Sequence, residues 1–102
     1  MALEVYWTKA AEEKFSDITE YLQKRWGDSS VRSFVRKAFG TIGIVAEFPE
    51  LGVLEYSSTL RSFLIVKQIT LIYRVDGNRL IIVTFFDNRQ NPLRRHRYRN
   101  RK

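Results

Sequence analysis

Cysteine is absent from this chain of 102 residues, and histidine occurs once. The lack of thiols excludes disulfides, thiolate metal sites and cysteine nucleophiles, and it is compatible with a reducing compartment. No segment approaches the roughly 18 consecutive apolar residues of a membrane-spanning helix, and the N-terminus lacks a basic segment followed by a long apolar run. We therefore expect a cytoplasmic protein without a signal peptide or a membrane partner.

Motifs for metal and cofactor chemistry are also missing. The sequence has no glycine-rich phosphate loop and no constellation of histidine and carboxylates for a metal ion. It also lacks the acid pair, followed by a spaced Glu and Lys, that is typical of metal-dependent nucleases. Metal catalysis is therefore not expected, and no cofactor is predicted.

Acidic residues are absent from the last ten positions. Residues 1–92 contain 12 Lys or Arg and 11 Asp or Glu, whereas residues 93–102 contain 6 Lys or Arg and no acid. Hydrophobic residues make up 44% of the chain, which is sufficient for one globular core in a chain of this length. We therefore predict one domain over residues 1–92 and a basic C-terminal tail over residues 93–102.

The tail has the composition of a polycation that attracts phosphates through counterion release, with salt-sensitive and largely sequence-independent affinity. RNA, the ribosome or DNA are candidate surfaces, and a solubilising or partner-docking tail is an equally good interpretation. His96 is more simply a solvated tail residue than a catalyst. The residues predicted to bind nucleic acid or another target are Arg89, Arg94, Arg95, Arg97, Arg99, Arg101 and Lys102.

The first half of the chain shows helical periodicity. A short strand is predicted over residues 2–7, and Thr8 is a suitable N-cap for a helix that ends near Gly27. Residues 28–30 offer the next cap, and a wide apolar face continues until Pro49. The apolar positions of the two helices are Ala11, Phe15, Ile18, Leu22 and Trp26, then Val31, Phe34, Val35, Ala38, Phe39, Ile42, Val45 and Ala46.

Two tryptophans and two glycines in this half carry expectations of their own. Trp7 and Trp26 are predicted to be core residues and not platforms for base stacking. Gly40 and Gly43 lie inside the second helix, where each costs about 1 kcal/mol relative to alanine. They indicate either a close backbone approach by another segment or an exposed weakness that the helix tolerates.

Beyond the breaker FPELG, at residues 48–52, the apolar periodicity changes to two. Strands are predicted over residues 60–66, 69–75 and 80–87. Residues 76–78 are good turn formers, whereas residues 67–68 lack the Gly, Asn or Asp of a tight turn. The element order is βααβββ. The predicted fold class is therefore α+β, an antiparallel sheet with an N-terminal two-helix hairpin packed on one face.

The last two predicted strands carry apolar residues on both faces. Strict alternation places four apolar side chains on the face that the helices leave uncovered. These are Ile72, Ile81, Val83 and Phe85. A sheet with one solvated face would show a cleaner polar alternation. We therefore predict that a binding partner, a second copy of the chain or the chain's own end covers this second face.

Five motifs occur in a specific order along the chain. They are VYWTKAAEEKF at 5–15, FPELG at 48–52, Arg61 before Phe63, LIYRV at 71–75 and FFDNRQNP at 85–92. In this order and spacing the chain resembles the RelE/ParE superfamily of type II toxins over almost its full length, and the last motif is similar to a plasmid-stabilisation branch of that family. The resemblance implies a toxin that an antitoxin peptide neutralises by wrapping its surface. The residues then expected to contact the antitoxin are Ile72, Arg74, Ile81, Val83 and Phe85.

Two mechanisms diverge within the family that the chain resembles: ribosome-dependent cleavage of mRNA, and non-enzymatic poisoning of DNA gyrase. Metal-free RNA cleavage needs a base, cations and an acid close together. If the chain is a ribonuclease, the candidate catalytic residues are Arg61, Lys67, Arg74, Arg89, His96 and Tyr98. A third interpretation is a non-toxic RNA-binding module that uses the tail.

One departure from the ribonuclease pattern favours the gyrase mechanism. Ribonuclease members resemble one another in an arginine immediately before an LVY-like triplet, and this chain has Thr70 at that position. Arg74 follows the triplet, about 13 Å farther along the strand. We therefore expect a ParE-like growth inhibitor that binds a macromolecular target. The DNRQNP segment is expected to be chiefly structural, with Asp87 and Arg89 paired.

Overall fold

A computed structural model of the chain describes residues 2–55 and 59–89. Two helices pack on one face of a five-stranded sheet, which is the predicted α+β fold. In chain order the elements are β1 (Glu4–Trp7), α1 (Lys9–Trp26), α2 (Asp28–Glu47), a 3₁₀ helix (Pro49–Leu51), β2 (Val53–Leu54), β3 (Arg61–Val66), β4 (Ile69–Asp76) and β5 (Arg79–Asp87). The 3₁₀ helix and the two-residue strand β2 are the elements of this order that the sequence did not predict. Among the described residues, neither helix is long and apolar enough to cross a membrane.

The strands lie across the sheet in the order β1-β5-β4-β3-β2. The three long strands pair antiparallel, as predicted, through turns at residues 67–68 and 77–78. Gly77 has a φ of 63°, which glycine adopts without strain. β1 pairs in parallel with β5, so the sheet is antiparallel except at this edge. Between β1 and β5 the chain forms both helices and three other strands, so no tight hairpin, which would impose an antiparallel pair, connects them.

The helical hairpin begins at the predicted cap. The Thr8 hydroxyl accepts a hydrogen bond from the Ala11 N–H at 3.0 Å, and it donates to the Val83 carbonyl of β5 at 2.7 Å. Gly27, with a φ of 92°, both ends α1 and precedes α2. The predicted cap at residues 28–30 is wrong, because these residues are already helical and no side chain caps α2. A single residue therefore joins the two helices.

The core lies between the helices and the sheet, and aromatic rings join the two layers. The Trp7 ring lies 5.2 Å from Phe15 of α1 and 5.4 Å from Phe85 of β5, measured between ring centroids. The prediction of a core role is confirmed for Trp7 and wrong for Trp26, which is 64% exposed. Trp26 is the last residue of α1 and borders an open cleft instead of the sheet.

β5 contains one residue more than the segment of β4 that it faces. Thr84 pairs with Ile72, and Ile82 pairs with Tyr73. Val83 is therefore the extra residue of a β-bulge. A bulge reverses the face on which the following side chains lie. Strict alternation along β5 therefore predicts the wrong face for every residue after the bulge.

Phe85 is the residue most affected by this reversal. It was predicted on the uncovered face, but it is 1% exposed and packs into the core, with its ring 5.3 Å from that of Phe15. The prediction that Phe85 contacts an antitoxin is therefore wrong. The bulge turns the side chain toward the helices, where the aromatic cluster surrounds it.

The other predicted contacts on the second face differ in exposure. Ile72 lies on that face but is only 2% exposed, so the chain itself buries it and the prediction of an open apolar surface is wrong at this position. Its register neighbours are Ser62 and Thr84. Arg74, Ile81 and Val83 are partly exposed, and their contact with an antitoxin stays a prediction.

Replacing Phe85 with alanine should lower the free energy of unfolding by about 3–5 kcal/mol, because the change leaves a cavity within the aromatic cluster. Leu64→Ala is the matched control, since Leu64 is 55% exposed on β3 and should change stability by about 0.5 kcal/mol or less. Urea unfolding followed by far-UV circular dichroism measures both. Equal destabilisation by the two variants would contradict the placement of Phe85.

Candidate functional site

The Tyr73 hydroxyl ties β4 to the segment that follows α2. It donates a hydrogen bond to the Pro49 carbonyl at 2.6 Å and accepts one from the Gly52 N–H at 2.9 Å. A Cβ atom at position 52 would collide with this hydroxyl, so the close approach requires glycine. The FPELG and LIYRV motifs, which are distant in sequence, therefore meet at one buried point.

Arg61 strengthens the same junction from β3. Its Nη1 donates to the Gly52 carbonyl at 2.7 Å and, more weakly, to the Glu50 carbonyl at 3.5 Å. Burial raises the pKa of the Tyr73 hydroxyl above its ordinary value of 10.0, whereas the Gly52 N–H and the Arg61 charge oppose this shift. Tyr73 therefore stays protonated at neutral pH, and Arg61 braces the junction through its two backbone contacts. The catalytic role predicted for Arg61 stays a prediction.

The described candidate cations of a ribonuclease site do not converge. Arg61 is paired in register with Tyr73, so Arg74, the next residue of β4, points to the opposite face. Lys67 lies in the turn at the other end of β3, about 20 Å along the strand from Arg61. Arg89 follows β5 at that same far end. His96 and Tyr98 lie outside the described residues, so the structure brings together at most two of the named cations.

The DNR part of the last motif ties the end of β5 to the turn between β3 and β4. The Asn88 N–H donates to the Gln68 carbonyl at 2.6 Å. Its side-chain amide donates to the Thr70 hydroxyl at 3.0 Å and to the Lys67 carbonyl at 3.3 Å. Thr70, where a ribonuclease would place an arginine, is 2% exposed. The predicted structural role of this motif is confirmed for its described residues.

Arg89 connects the sheet to α1. Its guanidinium forms two contacts of 3.2 and 3.3 Å with the Asp87 carboxylate, as predicted, and it lies over the Tyr21 ring at 5.2 Å. Arg25 lies over the same ring at 5.4 Å. The hydrogen bond to Asp87 raises the pKa of the Arg89 guanidinium, against a smaller opposing effect of burial. Arg89 is therefore a permanently charged group in a fixed position.

Two neighbouring clefts share Ile18 and Arg89. The larger, of about 410 Å³, is lined by Lys14, Asp17, Ile18, Tyr21, Asp87 and Arg89. The other, of about 350 Å³, runs between the two helices and the turn between β3 and β4. Its apolar residues are Ile18, Leu22, Trp26, Phe34, Val66 and Ile69, and its polar residues are Ser30, Ser33, Lys37, Gln68 and Arg89. We call this second space the helix cleft.

The helix cleft has the chemistry of a binding surface. Its floor is apolar, and its charged residues, Lys37 and Arg89, are both cations. The large exposed ring of Trp26 stands beside it. Sequence reasoning missed this site because helical spacing assigned Trp26 to the core. The signal that could have found it is the position of Trp26, one residue before the glycine that ends the helix.

Other predicted sites fall outside the described residues or have no counterpart within them. The tail residues Arg94, Arg95, Arg97, Arg99, Arg101 and Lys102 lie outside the described residues. Within residues 2–55 and 59–89, no group of three or more His, Cys, Asp or Glu side chains could hold a metal ion.

The sequence matches the family model of the ParE toxin of the type II toxin–antitoxin system parDE over residues 5–92. The chain belongs to the ParE toxin family. The match spans all but the first four residues of the predicted domain and stops before the basic tail. None of the curated proteins matches the chain at a significant level.

Solved structures resemble this ParE family member in fold. A chain of the chromosomal ParDE toxin–antitoxin system of P. aeruginosa gives a TM-score of 0.74 at 13% identity, over 84% of this chain and 96% of that one. A chain of the RelBE2 toxin–antitoxin complex of Mycobacterium tuberculosis gives 0.57 at 16% identity, over 85% and 99%. The YoeB/ParE toxin of Agrobacterium tumefaciens gives 0.56 at 19% identity, over 83% and 98%. At these identities the likeness establishes the fold.

Removing the Tyr73 hydroxyl tests the junction of this ParE family member. Tyr73→Phe leaves the Gly52 N–H and the Pro49 carbonyl without their partner, and it should lower the free energy of unfolding by about 1–3 kcal/mol at neutral pH. Tyr6→Phe, which changes a tyrosine that is 44% exposed, is the matched control and should have little effect. Urea denaturation measures both.

The stabilisation that the Tyr73 hydroxyl contributes is also expected to depend on pH. Because the folded-state pKa of Tyr73 is raised above 10.0, its stabilisation is complete below about pH 10 and is lost as the pH rises through the folded-state pKa. The difference in unfolding free energy between the wild type and Tyr73→Phe should therefore shrink above pH 10. A difference that stays constant through this range would contradict the burial of the tyrosine hydroxyl.

Proposed function

We propose that this ParE family member is a growth-inhibiting toxin that binds a gyrase-type macromolecular target and does not cut RNA. One observation carries the proposal: the described cations lie at separate places. Arg61 is held by backbone carbonyls, Arg74 points to the other face, and Lys67 and Arg89 lie at the far end of the sheet. Cleavage of RNA without a metal requires such groups around one phosphate.

The position before the LIY triplet supports the same proposal. Thr70 is buried and hydrogen bonded to Asn88, so it offers neither charge nor access to a phosphate. The nearest cation along the same strand, Arg74, forms an exposed ion pair with Asp76 at 3.8 Å. An arginine whose charge is already compensated is a weak clamp for a developing phosphorane charge.

Two assays performed side by side test this function. The purified chain should inhibit DNA supercoiling by gyrase, and it should leave mRNA on programmed ribosomes intact. Arg74→Ala, which removes an exposed cation, and Arg89→Ala are tested in the same two assays. Circular dichroism verifies that both variants are folded. Cleavage of mRNA by the wild type that is lost in folded Arg74→Ala or Arg89→Ala would overturn the proposal in favour of a ribonuclease.

An antitoxin is the second partner in the proposal, and the helix cleft is the surface that suits it best. Its apolar residues suit apolar side chains, and the Lys37 ammonium suits an acidic one. A chain with a net charge of +7 also attracts an acidic partner at long range. We expect an antitoxin segment with apolar anchors and carboxylates to occupy this cleft. A cytoplasmic location is part of the same proposal.

Replacing Trp26 with alanine should weaken antitoxin binding at least about tenfold, since exposed tryptophans beside pockets commonly dominate interface energies. Val53→Ala, which changes an edge-strand residue that is 63% exposed, is the control and should bind as the wild type does. Isothermal titration with the antitoxin encoded beside this gene gives the affinities, and growth rescue on co-expression gives the cellular result. Equal affinities for Trp26→Ala and wild type would place the antitoxin elsewhere.

A further inference from the structure

The outward face of α2 carries a line of residues that the fold does not use. Arg36, Gly40, Gly43 and Glu47 follow one another at helical spacing, so they lie in one row along the helix. All four are exposed. Helical geometry places Phe39 on one side of this row and Ile44 on the other. We call these six residues the α2 surface.

The two apolar members of the α2 surface are large and open to solvent. Phe39 is 52% exposed and Ile44 is 49% exposed, although the opposite side of α2 already buries Phe34, Ala38 and Ile42 in the core. The inner part of Phe39 contacts the aromatic cluster, with its ring centroid 5.9 Å from those of Trp7 and Phe15. Its exposed part and Ile44 lie outside the one apolar face that α2 needs to join the fold. Exposed apolar side chains on both sides of one row of residues indicate a surface that packs against another molecule.

Nothing within residues 2–55 and 59–89 explains the two glycines. A Cβ atom at position 40 or 43 would find no neighbouring atom of this described part within 4 Å. Neither has the positive φ that would require glycine. Glycine is a poorer helix former than alanine, so both positions weaken α2, and no contact among the described residues compensates for this. Small residues do allow the backbone of a second helix to approach closely.

We infer that the α2 surface binds a second copy of this chain, with the two α2 helices antiparallel and the two-fold axis between Gly40 and Gly43. In this arrangement each Gly40 lies opposite the partner's Gly43. The Phe39 side chains of the two copies then share one flank of the contact, and the Ile44 side chains share the other. Such an interface is self-complementary, as two-fold symmetry requires.

The charges on the α2 surface fit this arrangement. Arg36 lies four residues before Gly40, and Glu47 lies four residues after Gly43. An antiparallel pair centred on the glycines therefore places each Arg36 opposite the partner's Glu47, and symmetry gives this ion pair twice. Among the described residues, neither side chain forms an ion pair within its own chain. Both are available to a second copy.

The order of the two charges along α2 also indicates which kind of partner binds there. An acidic partner would be attracted by Arg36 and repelled by Glu47, and a basic partner would meet the reverse. A second copy of the same helix, running in the opposite direction, is complementary at both ends. The contact involves little beyond one helix from each copy, so it belongs to the small class of interfaces. We expect a dimer that forms at micromolar concentrations.

Charge reversal tests the pairing directly. Sedimentation velocity of the full chain at about 1 to 300 µM and physiological salt should show a reversible monomer–dimer equilibrium. Arg36→Glu and Glu47→Arg, made singly, should each raise the dimer dissociation constant at least about tenfold, because each places like charges together twice. The double variant, R36E together with E47R, should restore dimerisation, since it regenerates both ion pairs in reverse.

A glycine variant and a matched control complete the experiment. Gly40→Gln should abolish the dimer because its side chain separates the helices, and it should leave the monomer folded because the position is open. Lys24→Glu makes the same charge change on α1, beside the junction of the two helices, and should leave the dissociation constant unchanged. Circular dichroism verifies that every variant is folded.

Three results would overturn the inference. The first is a wild-type chain that stays monomeric at every concentration. The second is a dimer that persists in Gly40→Gln. The third is a double variant that does not recover the dimerisation lost in the single charge-reversal variants. Weaker antitoxin binding by the same variants, with the chain itself monomeric, would assign the surface to the antitoxin and overturn the dimer. None of these results depends on whether the target is gyrase or mRNA.

Discussion

The bulge at Val83 is the constraint from which the arrangement of the core follows. β5 pairs with β1 on one side and β4 on the other, and it is the strand against which α1 packs. The extra residue lets β5 present Leu80 and Ile82 to the helices before the bulge and Phe85 after it. The carbonyl of the bulged residue also receives the Thr8 hydroxyl. Strand register, the start of α1 and the aromatic cluster therefore depend on one local irregularity.

The motifs that connect this chain to its family are mainly structural in the described residues. FPELG, Arg61 and Tyr73 form one hydrogen-bonded junction, and Asn88 ties β5 to a turn. Because these motifs specify the fold, they are expected in relatives with either mechanism. This explains why the sequence resemblance identifies a toxin superfamily and leaves the molecular target undecided. The helix cleft proposed to hold the antitoxin is lined mainly by residues outside these motifs, and Arg89 is the exception.

Much of the fold could be predicted because local rules determine it. Helical spacing, the cap at Thr8 and the turn at Gly77 each act over a few residues, and each was confirmed. The face of Phe85 could not be predicted, because alternation along one strand does not show where its pairing with the neighbouring strand leaves an extra residue. Trp26 was misplaced for a related reason: apolar spacing gives the direction of a side chain but not where the neighbouring layer ends.

The single-residue junction at Gly27 has a consequence for recognition. Its backbone N–H is bonded to the carbonyls of Leu22 and Gln23, and no loop separates α1 from α2. The two helices therefore cannot move apart to admit a ligand unless a helical turn unwinds. A ligand of the helix cleft meets walls that are already in their final positions, so little ordering of the host accompanies association. Selection among ligands must then depend on how well each ligand's shape fits a rigid cleft.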